Sequence, residues 1–344
     1  MKQKRDLSLD IVRIFACLLV IACHSPMARQ DAHSFVHAAV SLFTSPCNVL
    51  FFLVSGALLL PAPGTDMRLS TRDFLRKRLN KVLMPTLVWT VFYIVVRILM
   101  KKNTPDELPQ MVLSIPFSPQ GSGVLWFMYT LVGLYLLTPI LSAWLRRASE
   151  REERFYLLLW GVTLFYPLLV GVLKIDPTYN NILYYFSGYV GYFVLGHYLQ
   201  HYGSKLRLRH ATVLFLIALA APLATKVLHI ENISGMFTNV LSVFVLCYGL
   251  FWWTLLRTVA NRFTQLHRWQ TTLTRLSNLT FGIYLCHIFI MRACLWNVPF
   301  IAALPATQQI VVTIVLTFVI SLAVAWLISL TPVGNYVIGY KQKK

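Results

Sequence analysis

Ten stretches of about 17–25 mostly apolar residues dominate this 344-residue chain, and stretches of that length cross a lipid bilayer as helices. They run over roughly 7–24, 35–60, 82–100, 124–145, 155–173, 182–199, 211–229, 236–256, 277–296 and 309–330. A bilayer offers no water to backbone polar groups, so a chain patterned this way is confined to a helical bundle. Composition agrees: only 12% of residues are charged, where a soluble domain carries about a quarter. A purely soluble protein is excluded. Pro46 predicts a kink inside the second stretch.

The net charge of +19 comes from 31 Lys and Arg against 12 Asp and Glu. Such a surplus is expected of nucleic-acid binding or of membrane topology, and its placement decides between them. With the N-terminus inside, 23 basic residues fall in inside segments. Only four (Arg29, Lys101, Lys102, Lys174) fall outside, and four (Arg13, Arg97, Lys226, Arg292) lie within spans. Basic residues concentrate on the cytoplasmic side of membrane proteins. The split predicts an all-α polytopic membrane protein of about ten helices with both termini cytoplasmic, and it leaves no charge for nucleic acid to explain. Asp10 and Arg13 interrupt the first stretch, against a cleaved signal peptide. The six cysteines all lie in spans without metal-ligand spacing, so buried thiols are expected rather than a disulfide framework or a metal site. The chain reads as one integral-membrane domain over 1–344, with a basic cytoplasmic loop at 61–81 and its longest outer loop at 101–123.

Ionisable side chains are expensive inside a membrane, which makes each a candidate for function. In the first span Asp10, Arg13, Cys17, Ile21 and His24 recur at helical spacing and share one face. His24 follows Arg13 by about 16 Å along the axis, near the outer end. A cation and a titratable base on one stripe can line a path through the bilayer; an Asp10–Arg13 pair with an interfacial histidine explains the stripe equally well. In the second span His37, Ser41, Asn48 and Ser55 share a face, and hydrogen bonding between helices accounts for the serines. The ninth span places Ser277, Thr280, Tyr284 and His287 together. His197 is expected at an interface. No acidic residue is expected deep in any span.

Six basic residues occur between Arg68 and Lys81, among them Arg76, Lys77 and Arg78. Two readings of this density stand: an anchor on anionic lipid, and a site for a polyphosphate ligand. Walker, HExxH and GxSxG patterns are absent, so a P-loop ATPase, a zincin and a typical serine hydrolase lack support.

Several segments together resemble the membrane acyltransferase-3 family. Leu9-Asp10-Ile11-Val12-Arg13 through His24 is similar to that family's opening helix, and Phe51-Phe52-Leu53-Val54-Ser55-Gly56 to its FFxxSG segment. Phe74-Leu75-Arg76-Lys77-Arg78 leading to Pro85 resembles its basic loop. Leu125-Trp126-Phe127-Met128-Tyr129 through Thr138-Pro139, and Gly282-Ile283-Tyr284-Leu285-Cys286-His287, resemble two later segments. The segments follow in the family's order, from the first span to the ninth.

The resemblance implies an enzyme that takes an acyl group, often acetyl, from cytoplasmic acyl-CoA. It delivers the group to a hydroxyl of a cell-surface glycan or a lipid-linked precursor, in a bacterial cytoplasmic membrane. Acyl-CoA would be a donor substrate, and no permanently bound cofactor is implied. His24 would be the catalytic histidine and Arg13 would help hold the donor. Arg76, Lys77 and Arg78 would contact the CoA phosphates. Trp126, Tyr129, Tyr284 and His287 would line the channel or position the acceptor. Many members carry an acidic residue just before FFxxSG, whereas this chain has Asn48, which can orient a histidine without supplying a carboxylate. The length of the chain fits the short form of the family, without a fused hydrolase-like domain. The alternative is a transporter or flippase for a glycan or small metabolite, with Tyr184, Tyr185, Tyr189 and Tyr192 along a sugar path.

Overall fold

The computed structural model describes residues 5–25, 35–63, 70–115, 117–119, 125–177, 180–203, 206–227, 234–262 and 268–342. The helices of ten residues or more are α1 (Leu7–His24), α2 (Phe35–Thr44), α3 (Cys47–Leu59), α4 (Thr71–Leu99), α5 (Trp126–Leu145), α6 (Glu150–Thr163), α7 (Val190–His201), α8 (Leu208–Val227), α9 (Val243–Arg262), α10 (Gln270–Phe289) and α11 (Ala306–Leu330). No strand occurs among the described residues. Eight segments among them are helical, long and apolar enough to cross a membrane: Leu7–His24, Ala38–Leu59, Thr71–Leu99, Trp126–Leu145, Glu150–Leu173, Gly235–Arg262, Gln270–Leu295 and Ala306–Leu330. The chain is an all-α, multi-pass membrane protein.

Two of the ten expected spans differ. Over 182–199 the backbone makes one tight turn at Tyr184–Phe186, and Gly188 then adopts φ +100°. That left-handed conformation breaks the helix, and only glycine adopts it without strain. Regular helix starts at Val190, so α7 has 12 residues and is about 18 Å long, short of a hydrocarbon core of about 30 Å. The seventh stretch does form the 20-residue helix α8, but its apolar part is confined to Leu208–Pro222.

The basic segment also differs from expectation. From Thr71 onward it is helix rather than loop; residues 64–69, with Arg68, lie outside the described residues. Asp73 sits in the first turn, where a carboxylate complements the helix dipole. Asp73–Lys77 and Arg72–Arg76 are one-turn neighbours, the first of opposite charge. At 29 residues, α4 is about 43 Å long, enough to carry its basic turns beyond an apolar core. The 101–123 segment contains a tight turn at Pro105–Glu107 and a short helix, Leu108–Leu113. There the Asn103 amide, and then the Thr104 backbone N–H, hold the Glu107 carboxyl below its usual range. Residues 116 and 120–124 are outside the described set.

The chain divides into two compact units. The first comprises 1–66 and 140–277. In it α1 packs on α2, α3 and α9, α3 packs on α7, and α8 packs on α9. The expected break at Pro46 separates α2 from α3. The closest approach is between α3 and α7. A Cβ on Gly56 would stand 1.8 Å from the Phe193 carbonyl oxygen, and one on Gly196 would stand 2.1 Å from that of Leu53. Each glycine lies on the other helix's backbone, the small-residue packing that stands in for hydrophobic association within a bilayer. On α6, the Trp160 ring covers Gly191 of α7, and its Nε1–H donates to the Gly188 carbonyl at 2.9 Å.

The second unit comprises 67–139 and 278–344. Here α4 packs against the short helix Gly334–Val337, and Trp89 Nε1–H donates to the Val337 carbonyl at 2.9 Å. The Tyr93 hydroxyl donates to the Leu285 carbonyl at 2.9 Å, tying α4 to α10. One face of α11 buries Thr313, Thr317, Ser321 and Ala325, and Ala325 meets Gly282 of α10.

Candidate functional site

The α1 stripe has a polar anchor at its start. Asp10 is 4% exposed, yet its carboxylate is well partnered. Arg5 donates from Nε and Nη2 at 2.7 Å each, Ser277 Oγ donates at 2.7 Å, and Thr274 Oγ1 at 3.3 Å. The carboxylate that one of the two readings paired with Arg13 is paired with Arg5 instead. Charge-assisted bonds of this kind are the strong ones. Beside this anchor, Arg257 of α9 donates to Asp6 at 3.2 Å and to Gln200 of α7 at 2.8 Å. Asp6 also caps α1 through the Ser8 N–H. Asp10→Ala removes the acceptor for three side chains. Because the Arg5 side chain is 42% exposed it can be resolvated, which lowers the cost from the 3–5 kcal/mol of a wholly buried pair to about 2 kcal/mol. Thermal unfolding of the detergent-solubilised variant should show a corresponding drop in midpoint.

Further along the stripe Arg13 is half-buried, Cys17 and Ile21 are buried, and His24 closes the last turn half-buried with its Nδ1 shielded from solvent. Cys23 of α1 and Cys47 of α3 are neighbours where the two helices pack together. Each cysteine directly precedes a candidate: His24 on α1 and Asn48, half-buried in the first turn of α3. The structure thus brings the end of α1 level with the start of α3. Asn48 stands at the position where the resemblance leads one to expect an acidic residue. The His37 side chain lies outside the described set.

The second unit holds the remaining candidates. Tyr284 and His287 of α10 are buried, with ring centroids 5.4 Å apart. Phe127 of α5 stands 5.6 Å from Tyr284 and 6.2 Å from Trp126, so Trp126, Tyr284 and His287 belong to one aromatic chain of contacts. Tyr129 is on the same helix, 3.5 Å from Thr90 Oγ1. His287 Nδ1 lies 2.6 Å from the Tyr284 carbonyl. A carbonyl only accepts, so Nδ1 carries the proton and Nε2 is the basic nitrogen of the neutral ring. On α4, Arg76 and Lys77 are exposed and Arg78 is half-buried.

Two groups that the sequence did not bring together are buried side by side. His197 is 0% exposed within the protein. Glu153, for which the sequence suggested no role, is a carboxylate 1% exposed inside the segment Glu150–Leu173. The two meet at 2.8 Å. Helical spacing held the only signal, since Glu153 stands two turns before the buried Trp160. The tyrosines of the transport reading part company: Tyr192 is enclosed and donates to the Val240 carbonyl, whereas Tyr184 and Tyr185 are exposed.

The fold defines a class: a multi-pass, all-α membrane protein, here with a histidine closing a polar stripe on its first helix. The comparison with known families makes the class specific. The acyltransferase domain model of the acyltransferase-3 family matches residues 6–330, and the chain belongs to that family of membrane acyltransferases. No curated protein and no solved structure matches it significantly.

Proposed function

We propose that this protein is an O-acyltransferase that moves acetyl from cytoplasmic acetyl-CoA to a sugar hydroxyl of a cell-surface glycan or its lipid-linked precursor. Its place would be a bacterial cytoplasmic membrane, with both termini cytoplasmic. Family membership over residues 6–330 carries the reading. The placement of His24 at the end of α1, level with Asn48, supports it.

The chemistry needs little more than a base and a donor clamp. A thioester carbonyl is already electrophilic. His24 takes the proton of the acceptor hydroxyl as the new C–O bond forms. The C–S bond breaks, CoA leaves as thiolate, and the thiolate takes up a proton. Asn48 orients the imidazole. Arg13 holds the donor, while Arg76, Lys77 and Arg78 bind its phosphates. Trp126, Tyr129, Tyr284 and His287 position the acyl or acceptor group.

The test is transfer of label from radioactive acetyl-CoA to crude envelope glycan by purified protein in liposomes. Labelled glycan supports the reading. Failure both to transfer and to bind acyl-CoA moves the weight to transport. Binding without transfer points to another acyl chain or acceptor. Alanine at Arg76, Lys77 and Arg78 together should weaken acetyl-CoA binding by about tenfold or more by titration calorimetry, as expected when charged phosphate contacts are lost. An unchanged affinity would return these residues to anchoring on anionic lipid.

A further inference from the structure

The buried Glu153–His197 pair has no part in the chemistry above, and its geometry is complete. His197 Nδ1 lies 2.8 Å from Glu153 Oε1, and Nε2 lies 2.8 Å from the Pro61 carbonyl oxygen. Both side chains are essentially inaccessible, at 0% and 2%. Burying a charge without a partner is costly, so the proton inventory is constrained. Pro61 can only accept, which puts a proton on Nε2. The contact between Nδ1 and Oε1 then contains one further proton, whichever side holds it, and the pair carries no net charge. Neighbouring ionisable groups are otherwise engaged: Arg154 pairs with Glu150 at 3.7 Å, and Tyr198 donates to Glu150 at 3.1 Å. The His201 ring lies 4.6 Å from that of His197.

The three groups come from three elements of the first unit. Glu153 is in the first turn of α6, His197 is in α7, and Pro61 follows α3 by two residues. Leu60 ends α3 with its N–H bonded to the Gly56 carbonyl at 3.1 Å, in extended backbone. The same α3–α7 seam is closed further along by Gly56 and Gly196. The bond therefore ties the exit of α3, the helix that carries Asn48 and Ser55, to α6 and α7.

We propose that Glu153 and His197 are positioning residues for acyl transfer: as a neutral, proton-sharing latch on the Pro61 carbonyl, they hold α3 in the register that places Asn48. The proposal rests on the acyltransferase reading for its catalytic consequence, but the latch itself is independent of that reading.

The test uses full-length protein in liposomes, comparing Glu153→Ala, Glu153→Gln and His197→Ala with wild type. Two readouts are taken: amide hydrogen exchange over residues 57–62, and kcat and KM for acetyl transfer. Glu153→Ala and His197→Ala should raise exchange in that segment about tenfold or more, without a matching rise in α1 or α9. They should lower kcat about tenfold with donor KM unchanged. Glu153→Gln should restore both, since its amide N–H can donate to the neutral Nδ1 and keep the ring bonded to Pro61. Wild-type exchange in both alanine variants overturns the latch. Fraying with undiminished kcat overturns the positioning role. A Gln variant as defective as Ala overturns a latch that works as a hydrogen bond between uncharged groups, since an ionised Glu153 would then be required. A wild-type protein that transfers no acetyl counts against the acyltransferase reading, while the exchange data still decide the latch. If Glu153→Ala does not accumulate, Glu153→Gln against His197→Met carries the same comparison: Met at 197 has no N–H to donate to the Pro61 carbonyl and should fray.

Discussion

His24→Ala should reduce acyl transfer by about 10²–10⁴-fold, the usual contribution of a general base, while leaving the protein inserted and folded. Stability should hold because His24 is half-buried in the final turn of α1, and the core contacts of that helix are made by Val12, Ala16, Val20 and Ile21. Removing the ring trims the end of the helix rather than its packing. The measurement is labelled acetyl transfer in liposomes beside the thermal midpoint of the purified variant. His24→Gln refines it, because glutamine keeps a polar side chain of similar reach but cannot take a proton near neutral pH. Both variants should be inactive at an unchanged midpoint. Turnover within threefold of wild type in His24→Ala would remove His24 from the chemistry. His287, buried with Nε2 as its basic nitrogen, would then be the next base to test.

What could be read in the sequence was whatever leaves a local mark. Apolar runs announced the spanning helices, and Pro46 announced the break between α2 and α3 because proline cannot donate to the preceding turn. The stripe from Asp10 to His24 was visible because helical periodicity is itself a sequence property. Features set by tertiary contact were not. Both Arg5 and Arg13 are near Asp10 in sequence, and spacing within the helix favoured Arg13. The carboxylate is instead oriented by Ser277 and Thr274, more than 260 positions away. The stretch 182–199 is apolar enough to span, but the conformation of Gly188 delays the start of regular helix to Val190, and hydropathy does not report φ. The segment Glu150-Arg151-Glu152-Glu153-Arg154 reads as uniformly hydrophilic. One of its five residues turns inward to His197, 44 positions on. In the candidate site, residue types and their elements were legible. The juxtaposition of the end of α1 with the start of α3, through Cys23 and Cys47, required the fold.

The largest stability effect is expected at the α3–α7 seam. Gly196→Ala would place a methyl 2.1 Å from the Leu53 carbonyl oxygen and 2.7 Å from its carbon, distances that no side-chain rotation relieves because both atoms are backbone. The helices must separate. Overpacking commonly costs about 1–3 kcal/mol, and an obstruction by backbone rather than by a flexible side chain belongs at or above the top of that range. Separation also weakens the reciprocal contact of Gly56 with Phe193 and stretches the His197–Pro61 bond, so the three features should fail together rather than additively. The control is built into the same chain. Gly161 on α6 and Gly133 on α5 have nothing within 4 Å of an added Cβ, and alanine there should be neutral or stabilising by up to about 1 kcal/mol through reduced chain entropy. Unfolding of purified variants by denaturant in mixed micelles separates the cases: Gly196→Ala should unfold at markedly lower denaturant or fail to accumulate, while Gly161→Ala should match or exceed wild type. Equal stability of the two variants would mean that α3 and α7 are not in backbone contact, and the register of the FFxxSG segment would need another source.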